Sequence, residues 1–346
     1  DRALVMQHNL PRLDSRPQFA TVGIVAGVDI GGTHQTVALA RLDGEVFAIA
    51  RRQLLPGGTA EDVMGNVLEM IDATRAEAGL TPGRPGADKL LRLGVGFGGP
   101  VDIKNGTVVT SHHVSGWDGY ALRDTLEQRL DAPVVIDNDA NAAAFGEAQF
   151  GAGRGHRNIL YVNIGTGIGA GLILDGRLYH GQHGMAGEIG HVTVRPDGAE
   201  CACGRRGCLE TVASGRAIGL RAQAAAVAQP DAAGRLQALA GGDGAQITGV
   251  HVFAAAEEGD ALAVQLVDET ADYLGLALGS AANVLDPSII IIGGGVGEGG
   301  EVLFTPLRAA VRRYLLPSIP GPEVVPAALG YDAGIAGALA LALDGL

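Results

Sequence analysis

Two stretches of this chain repeat one pattern, and the repeat limits the available folds more than any other feature of the sequence. Residues 28–46, VDIGGTHQTVALARLDGEV, and residues 162–178, VNIGTGIGAGLILDGRL, each predict a strand, a Gly/Thr turn, a second strand, an Asp-Gly pair and a third strand. An Asp-Gly pair between apolar runs is a strong hairpin signal. The repeat therefore predicts two duplicated α/β domains, each of which begins with an antiparallel β-meander.

The length and composition of the chain agree with a two-domain organisation. Its 346 residues are 47% apolar, 18% charged and only 4% aromatic, so aliphatic side chains must fill the cores. The net charge of −13 argues against a nucleic-acid-binding surface. No apolar run reaches the roughly 18 residues of a membrane span, and the N-terminal stretch lacks the apolar region of a signal peptide. We therefore expect a cytoplasmic protein with neither a membrane nor a nucleic acid as partner.

Periodicity and turn signals predict the remaining elements. We expect residues 1–22 to be an extension with little regular structure, 23–137 to be a small α/β domain and 138–332 to be a larger one. A C-terminal segment, about 333–346, carries a helix that we expect to pack back on the small domain. The other predicted helices cover about 60–78, 119–130, 138–150, 213–227, 249–256, 260–283 and 302–314, and the other predicted strands cover 91–97, 133–137 and 288–292.

All three cysteines lie close together in the larger domain. Cys201, Cys203 and Cys208 follow His191, which lies ten residues before the first of them. Three thiolates and one imidazole make a closed tetrahedral zinc set, with no open position for a reacting water. A clustered, odd number of cysteines favours a metal site in a reducing compartment over a disulfide framework. The alternative is an uncoordinated loop with free thiols.

Two glycine-rich loops occupy matching positions in the repeat. Glycine lets backbone N–H groups approach an anion closely, and a threonine adds a hydroxyl donor. Two such loops facing each other across a cleft would bind the phosphates of a nucleotide, whereas each alone is more often an ordinary tight turn. Asp29, just before the first loop, could hold Mg²⁺ through water. The candidate phosphate-binding residues are Gly31, Gly32 and Thr33 in the first loop and Gly165, Thr166 and Gly167 in the second.

Two further stretches join a predicted strand to a predicted helix. The sequence GGGVGEGG at 293–300, with Gly294 and Gly295, suits a flat ligand such as adenine with its ribose, or is a plain strand-to-helix turn. Asp139 is expected near a helix N-terminus, where a carboxylate stays ionised easily. It could accept a proton from an alcohol, and phosphoryl transfer asks little more of a protein than positioning, charge neutralisation and such a base. The alternative for Asp139 is simple helix capping.

The sequences DIGGT, NDANAA, GTGIGAG, GEIGH and CACGRRGCLE, in this order, resemble the ROK family of repressors and sugar kinases. The resemblance covers about residues 23–346 and implies the actin-like, or RNase H-like, ATPase fold, with two domains around a cleft. It implies ATP, Mg²⁺ and structural Zn²⁺ as cofactors, Asp139 as the base that activates the 6-hydroxyl group of a sugar, and a zinc loop that shapes the sugar pocket. The sugar-binding residues that it implies are Gly99, Asn138, Asp139, Glu188, His191 and Glu210.

The sequence departs from the family pattern at two positions. His34 follows DIGGT where the family commonly has lysine, and Gly98 begins a Gly-Gly-Pro where Pro-Gly-Pro is usual. The first change is expected to weaken a contact near the phosphates, and the second to alter the floor of the pocket.

The resemblance implies ATP-dependent phosphorylation of a hexose at its 6-hydroxyl group. Glucose is favoured because Ser115-Gly116-Trp117 resembles a Gly-Trp of glucokinases. Kinases of N-acetylglucosamine, N-acetylmannosamine, fructose or mannose are alternatives, and polyphosphate is an alternative donor. A different alternative is a sugar-responsive transcription regulator whose DNA-binding domain is missing from this sequence. Homodimers and homotetramers are both usual in the family.

Overall fold

The structure is a computed structural model that describes residues 23–54, 57–80, 89–110 and 114–346. The extension predicted over residues 1–22 lies outside these residues. Contacts divide the chain into two compact units. The first unit contains the described residues up to Arg154, together with His180–Ala186 and Tyr331–Leu346, and the second contains Gly155–Tyr179 and Gly187–Gly330. Residues 139–150 thus group with the first unit, whereas the sequence prediction begins the second domain at residue 138.

The strands form two five-stranded sheets of the same order, one in each unit, and a separate short hairpin, β5 with β6. The first sheet has the order β3-β2-β1-β4-β7 and the second has the order β10-β9-β8-β11-β12. The strands are β1 (Ile24–Ile30), β2 (His34–Arg41), β3 (Val46–Gln53), β4 (Leu90–Phe97), β5 (Val101–Asp102), β6 (Thr107–Val108), β7 (Val134–Asn138), β8 (Ile159–Ile164), β9 (Ile168–Leu174), β10 (Arg177–Leu178), β11 (Ile289–Gly293) and β12 (Glu323–Pro326).

Both sheets combine an antiparallel meander with two parallel strands. In the first sheet, β1 pairs antiparallel with β2 and β2 with β3, while β4 lies parallel to both β1 and β7. In the second sheet, β8 pairs antiparallel with β9 and β9 with β10, while β11 lies parallel to β8 and β12. The repeat in the sequence therefore corresponds to a repeat of topology. The sequence did not predict β12, because it has only four residues and one of them is a proline.

The helices connect and cover these strands. The sequence predicted the long ones to within a few residues but missed the short helices α4 and α6, which are too short to show a hydrophobic period. The helices are α1 (Ala60–Glu77), α2 (Leu122–Leu130), α3 (Asp139–Phe150), α4 (Glu210–Ala213), α5 (Gly215–Ala228), α6 (Gly234–Leu239), α7 (Gly249–Glu257), α8 (Ala261–Leu285), α9 (Gly294–Gly297), α10 (Gly300–Tyr314) and α11 (Ala333–Leu343). None of the described helices is both long and apolar enough to span a membrane.

The C-terminal helix α11 packs against α3 and against β1 and β4 of the first unit. Two glycines make the crossing of α3 and α11 close. A Cβ atom on Gly337 would overlap the carbonyl oxygen of Ala142, and one on Gly146 would lie 2.7 Å from the backbone nitrogen of Gly337. Helices rich in small residues can approach backbone to backbone. The helix α3, which follows β7, therefore packs closely against α11, which in turn packs on the sheet.

Candidate functional site

The carboxyl ends of β1, β4 and β7 lie side by side in the first unit and carry its candidate site. Asp29, Gly96 and Asp137 are partners in the strand register. Ligands of parallel sheets bind outside such carboxyl ends, because the loops and helix N-termini that follow the strands converge there. A Cβ atom on Gly96 would lie 3.2 Å from the Cβ atom of Ala142 and 3.8 Å from Oδ1 of Asp29. The glycine therefore lets α3 pack closely beside the Asp29 carboxylate.

Asp29 and Asp139 concentrate negative charge at this edge. Burial, and then the nearby Asp139 carboxylate, raise the pKa of Asp29 to about 7, while the Arg51 guanidinium opposes the increase. Asp29 also lies at the first turn of α11, since a Cβ atom on Gly334 would be 2.8 Å from its Oδ2. A buried carboxylate with a second, half-buried one nearby favours a bound proton or a cation. Carboxylate oxygens suit Mg²⁺, so these donors fit the ion that the resemblance implies.

The first Gly/Thr loop is the turn between β1 and β2. The Gly31 N–H donates to the His34 carbonyl oxygen at 3.0 Å, and the Leu54 N–H donates to the Thr33 carbonyl oxygen at 2.9 Å. These bonds hold the turn, while Gly32 and Thr33 stay exposed to solvent. A small cavity lies beside the loop. It is lined by Ile30, Gly31, Gly32, Leu54, Val63, Phe97, Gly98, Val114 and Trp117.

His34 lies next to the loop, in a stack of rings and charges. Its ring stacks on Tyr331 with centroids 5.0 Å apart, and the Arg51 guanidinium lies 5.5 Å from the Tyr331 ring centroid. Arg51 forms an ion pair with Asp332. Burial lowers the pKa of His34, and Arg51 lowers it further. His34 is therefore mostly neutral at pH 7, and Arg51 provides the positive charge in this stack.

Asn138 and Asp139 occupy the start of α3 and have different roles there. Asn138 is the N-cap residue, with Oδ1 accepting from the Ala140 N–H at 2.9 Å and from the Asn141 N–H at 3.4 Å. Its Nδ2 donates to the Gly99 carbonyl oxygen at 3.0 Å. Asp139 is the first helical residue, so the main capping role that the sequence left open for it belongs to its neighbour.

Gly98 adjoins this helix start and lines the same small cavity as Trp117. A Cβ atom on Gly98 would lie 3.6 Å from Oδ2 of Asp139. Trp117 is buried at 1% exposure and makes an edge contact with Phe97, with ring centroids 4.9 Å apart. The Gly-Trp signal in the sequence therefore marks a core residue beneath the candidate site, and glycine at position 98 keeps the space beside Asp139 open.

Sequence reasoning missed His180, which the structure brings to the same place. Its Nε2 is 2.7 Å from Oδ2 of Asp137, although the two residues are 43 positions apart. This hydrogen bond raises the pKa of His180, and partial burial opposes the increase. A lone histidine in a glycine-containing stretch gives no periodic signal, so the sequence offered no indication of this pair.

In the second unit, the four predicted zinc ligands converge. The ligand atoms of His191, Cys201, Cys203 and Cys208 all lie within 4.8 Å of one another. Nδ1 of His191 is 3.6 Å from Sγ of Cys201, and Sγ of Cys203 is 3.7 Å from Sγ of Cys208. Tetrahedral zinc with Zn–S bonds of about 2.3 Å would separate two sulfurs by about 3.8 Å. The residues present therefore fit a closed zinc site.

The thiols of this cluster differ in their pKa. Burial, with the neighbouring thiols, raises the pKa of Cys208 to about 12, whereas the Arg205 backbone N–H lowers the pKa of Cys203. A zinc ion stabilises thiolates and would reverse the effect at Cys208.

Two glutamates, Glu188 and Glu210, lie close in sequence to ligands of this cluster and contact other polar groups. Nε2 of His191 is 3.8 Å from Oε2 of Glu188, so one ring nitrogen faces the cluster and the other faces a carboxylate. Glu210, two residues after Cys208, accepts from the Ile168 N–H at 2.9 Å. A Cβ atom on Gly167 would lie 2.5 Å from Oε2 of Glu210. The zinc loop and the second Gly/Thr loop are thus joined through Glu210.

The stretch after β11 is a short helix as well as a turn. Gly294 has a φ of 73°, and a Cβ atom there would lie 2.5 Å from the Ile164 carbonyl oxygen. Only glycine fits this position without strain. Gly295 is different, because a Cβ atom on it would meet nothing within 4 Å. The close approach at Gly294 brings the end of β11 against the end of β8. Gly295, in contrast, is exposed to solvent and has space beside it.

Two sheets of one order, each with a meander and two parallel strands, are the duplicated architecture of the actin-like ATPase fold. This confirms the fold that the sequence predicted, and the similarities below agree with it. The chain matches the ROK family over residues 25–345 and belongs to that family.

Glucokinases among the relatives of this chain are similar to it over nearly all of their length. It is 36% identical to a glucokinase of Streptomyces coelicolor over 93% of this chain and 98% of that protein. It is 38% identical to a glucokinase of Thermotoga maritima over 91% of this chain and 96% of that protein. A solved structure of a ROK family glucokinase from Streptomyces griseus in complex with glucose and AMPPNP has a TM-score of 0.80 and 38% identity, covering 93% of this chain and 100% of that chain.

Proposed function

We propose that this protein is an ATP-dependent hexose kinase that phosphorylates glucose at its 6-hydroxyl group. The observation that carries the proposal is the start of α3, where Asn138 caps the helix and Asp139 follows beside the glycines at 98 and 99. The similarity to glucokinases over more than nine-tenths of the chain supports both the reaction and the sugar.

Asp139 acts as the general base in this proposal. The first turn of α3 favours a carboxylate, because the helix N-terminus carries a partial positive charge. The carboxylate accepts the proton of the 6-hydroxyl group as the oxygen attacks the γ-phosphorus atom, and ADP leaves. Because phosphoryl transfer depends mainly on positioning and on stabilising charge, Asn138 and the backbone around Gly99 contribute by orienting the sugar.

The phosphates and their metal ion require groups that bind anions and neutralise charge. Gly32 and Thr33 in the exposed first loop, and Gly165 and Thr166 in the second, would contact the phosphates, and Gly295 would lie against the nucleoside. Asp29 would hold Mg²⁺ through water, and the ion would supply charge neutralisation on the phosphates.

The zinc cluster has a positioning role in the proposal. His191, Cys201, Cys203 and Cys208 would hold zinc, which leaves Nε2 of His191 and the Glu188 carboxylate to bind sugar hydroxyl groups. Glu210 would bind the sugar while its hydrogen bond to Ile168 holds the second loop. A closed site of four protein ligands has no position for a reacting water, so zinc takes no part in the chemical step.

The test is ADP release, measured by a coupled assay with MgATP and a panel of glucose, N-acetylglucosamine, N-acetylmannosamine, mannose and fructose. We expect the highest kcat/KM with glucose. Asp139→Asn should lower kcat by about 10²-fold or more, since it removes the general base. Asp124→Asn is the matched control, because Asp124 is an exposed acid in the first turn of α2, and it should keep wild-type activity.

Two results would contradict the proposal. Equal kcat for Asp139→Asn and the wild type would exclude Asp139 as the base. A zinc-loaded, folded wild type that phosphorylates none of the sugars would exclude a kinase of these five sugars and leave either a sugar-binding regulator or a kinase of another sugar. In that case, sugar binding without turnover would favour the regulator that the sequence left as an alternative.

A further inference from the structure

Asp137 is a buried carboxylate at the end of β7, immediately before the proposed sugar-binding Asn138. Its side chain is 3% exposed. Oδ1 accepts from the Asn138 N–H and from Nδ2 of Asn141, both at 2.8 Å, and Oδ2 is 2.7 Å from Nε2 of His180. Asp137 therefore connects the strand end, the first turn of α3 and His180.

Asn141, in the first turn of α3, orients its side-chain amide toward the Asp137 carboxylate. Asn141 is 3% exposed and directs its amide nitrogen to Asp137. Its Oδ1 is buried and has no hydrogen-bond partner among the described residues. An unpaired buried acceptor costs stability, so the amide orientation is the one that satisfies the carboxylate.

His180 begins the segment 180–186, which groups with the first unit while the residues on both sides of it group with the second. The Ala186 N–H donates to the His180 carbonyl oxygen at 3.1 Å, so the two ends of the segment are joined. Gly181 and Gly184 have φ values of 72° and 74°, which permit the tight path between them. The segment leads directly into Gly187 and the proposed sugar ligand Glu188.

The Nε2 atom of His180 has a specific partner, Oδ2 of Asp137. A buried carboxylate needs donors for both oxygens, and hydrogen bonds to an ionised carboxylate are among the stronger ones. Removing the imidazole would leave Oδ2 of Asp137 without its protein donor in a buried place. The carboxylate would then shift or take up water, and Asn138 and Asn141 would move with it because they share its other oxygen.

We propose that His180 is a positioning residue of the phosphoryl-transfer site: through Asp137 it holds the first turn of α3, with Asn138 and Asp139, and it fastens the segment 180–186 to that turn. This rests on the kinase activity proposed above. His180 takes no proton from the substrate and touches no reacting atom. Its effect is to hold the general base Asp139 and the sugar-binding amide of Asn138 in fixed positions relative to each other.

The kinetic test compares His180→Ala with His180→Gln, whose amide nitrogen can replace Nε2 as a donor. His183→Ala is the matched control, because His183 is an exposed histidine of the same segment. We expect His180→Ala to lower kcat/KM for glucose about tenfold or more, with a fall in kcat and little change in KM for ATP. His180→Gln should stay within about threefold of the wild type, and His183→Ala should match it. Wild-type kcat/KM in His180→Ala would overturn the proposal.

A second kinetic comparison tests the route through Asp137. If His180 acts by holding this carboxylate, Asp137→Asn with His180→Ala should be no slower than Asp137→Asn alone. A further tenfold loss in the double variant would show that His180 acts on the substrate directly, which would overturn its role as a positioning residue.

Hydrogen exchange of the ligand-free protein gives a readout that does not depend on activity. Amides in peptides covering residues 134–145 and 178–188 should exchange faster in His180→Ala, but not in His180→Gln or His183→Ala, if the pair holds both segments. Unchanged exchange over 134–145 would overturn the proposal even if the enzyme is active. If the wild type phosphorylates no sugar, the kinase assignment fails, and the claim that His180 positions a catalytic site fails with it. Faster amide exchange in His180→Ala would then show that the bond between His180 and Asp137 stabilises the fold without a catalytic role.

Discussion

At the scale of single residues, Asp29 shows a conflict between stability and function. A buried carboxylate beside a second one is unfavourable in the absence of a cation, which is why its pKa rises to about 7. The Mg²⁺ and phosphate binding proposed above would explain why such a group is retained, because a bound cation would offset the repulsion. We therefore expect the Asp29 carboxylate to lower the free energy of unfolding of the metal-free protein, by an amount that depends on pH.

Asp29→Asn should stabilise the Mg²⁺-free protein while it lowers activity. The unfolded carboxyl group has a pKa of about 3.9, so between pH ~4 and ~7 it ionises in the unfolded chain while it stays protonated in the folded one, and the free energy of unfolding falls progressively over this window. Below this window the carboxyl group is protonated in both states and costs nothing. The gain from the substitution should consequently be larger at pH 8 than at pH 5, measured as urea midpoints. Asp72→Asn on the exposed face of α1 is the control, and an equal gain at both pH values would contradict the prediction.

At the scale of elements, the zinc loop and the second Gly/Thr loop form one connected structure. Cys208, Leu209 and Glu210 are consecutive, and the Glu210 carboxylate accepts from the Ile168 N–H. The Gly215 N–H also donates to the Gly165 carbonyl oxygen at 2.8 Å. A disturbance of the metal ligands therefore has a short path to the proposed phosphate loop.

Loss of zinc should raise the KM for ATP as well as the KM for glucose. Cys203→Ser should reduce the zinc content, measured by mass spectrometry, and lower Tm by about 5 °C or more, because the ligands of a structural site fold with their metal. Ala202→Ser changes the exposed neighbour of this ligand and should retain zinc, Tm and both KM values. A zinc-depleted variant with an unchanged KM for ATP would show that the two loops are independent.

The close packing of α3 against α11 should contribute to the stability of the protein. Gly337→Ala would place a methyl group on the Ala142 carbonyl, so we expect a loss of about 1–3 kcal/mol in the free energy of unfolding. Gly65→Ala in α1 is the matched control, because a Cβ atom there meets nothing within 4 Å. It should stabilise the protein by about 0.5–1 kcal/mol through helix propensity. Urea denaturation measures both, and two changes of the same sign would refute the packing explanation.

At the scale of the whole molecule, the repeated topology places one proposed phosphate loop in each unit. The loop between β1 and β2 matches the loop between β8 and β9, and each follows the first strand of its meander. A ligand that binds either loop stabilises the folded chain, since the unfolded chain has neither site.

Glucose and a non-hydrolysable ATP analogue should together raise the melting temperature of the whole chain. At 100 times the dissociation constant, a ligand that binds only the folded state adds about 2.7 kcal/mol to the free energy of unfolding. L-glucose at equal concentration is the control and should leave Tm unchanged. No shift with either D-glucose or the analogue would contradict the proposed binding sites.

Much of the fold followed from local patterns. The two meanders, the helices α1 and α8 and the buried strand β11 are all strongly patterned, and the structure has them within a few residues of the predicted positions. The four candidate zinc ligands were also recognisable, because metal sites require particular residue types close together, and the structure brings these four side chains together. Short elements such as β12 and α6 carry too few residues for a period to be read, so they were missed.

The sequence by itself determined the duplicated α/β class, the identity of the four candidate zinc ligands and membership of the ROK family. Only the tertiary structure decided that His180 holds Asp137, that Glu210 joins the zinc loop to the second Gly/Thr loop, and that Asp29 and Asp139 repel each other. The physical reason is that hydrogen bonds and charge interactions depend on distances of a few ångströms between residues far apart in sequence. Strand register and helix packing set those distances, and no local pattern records them.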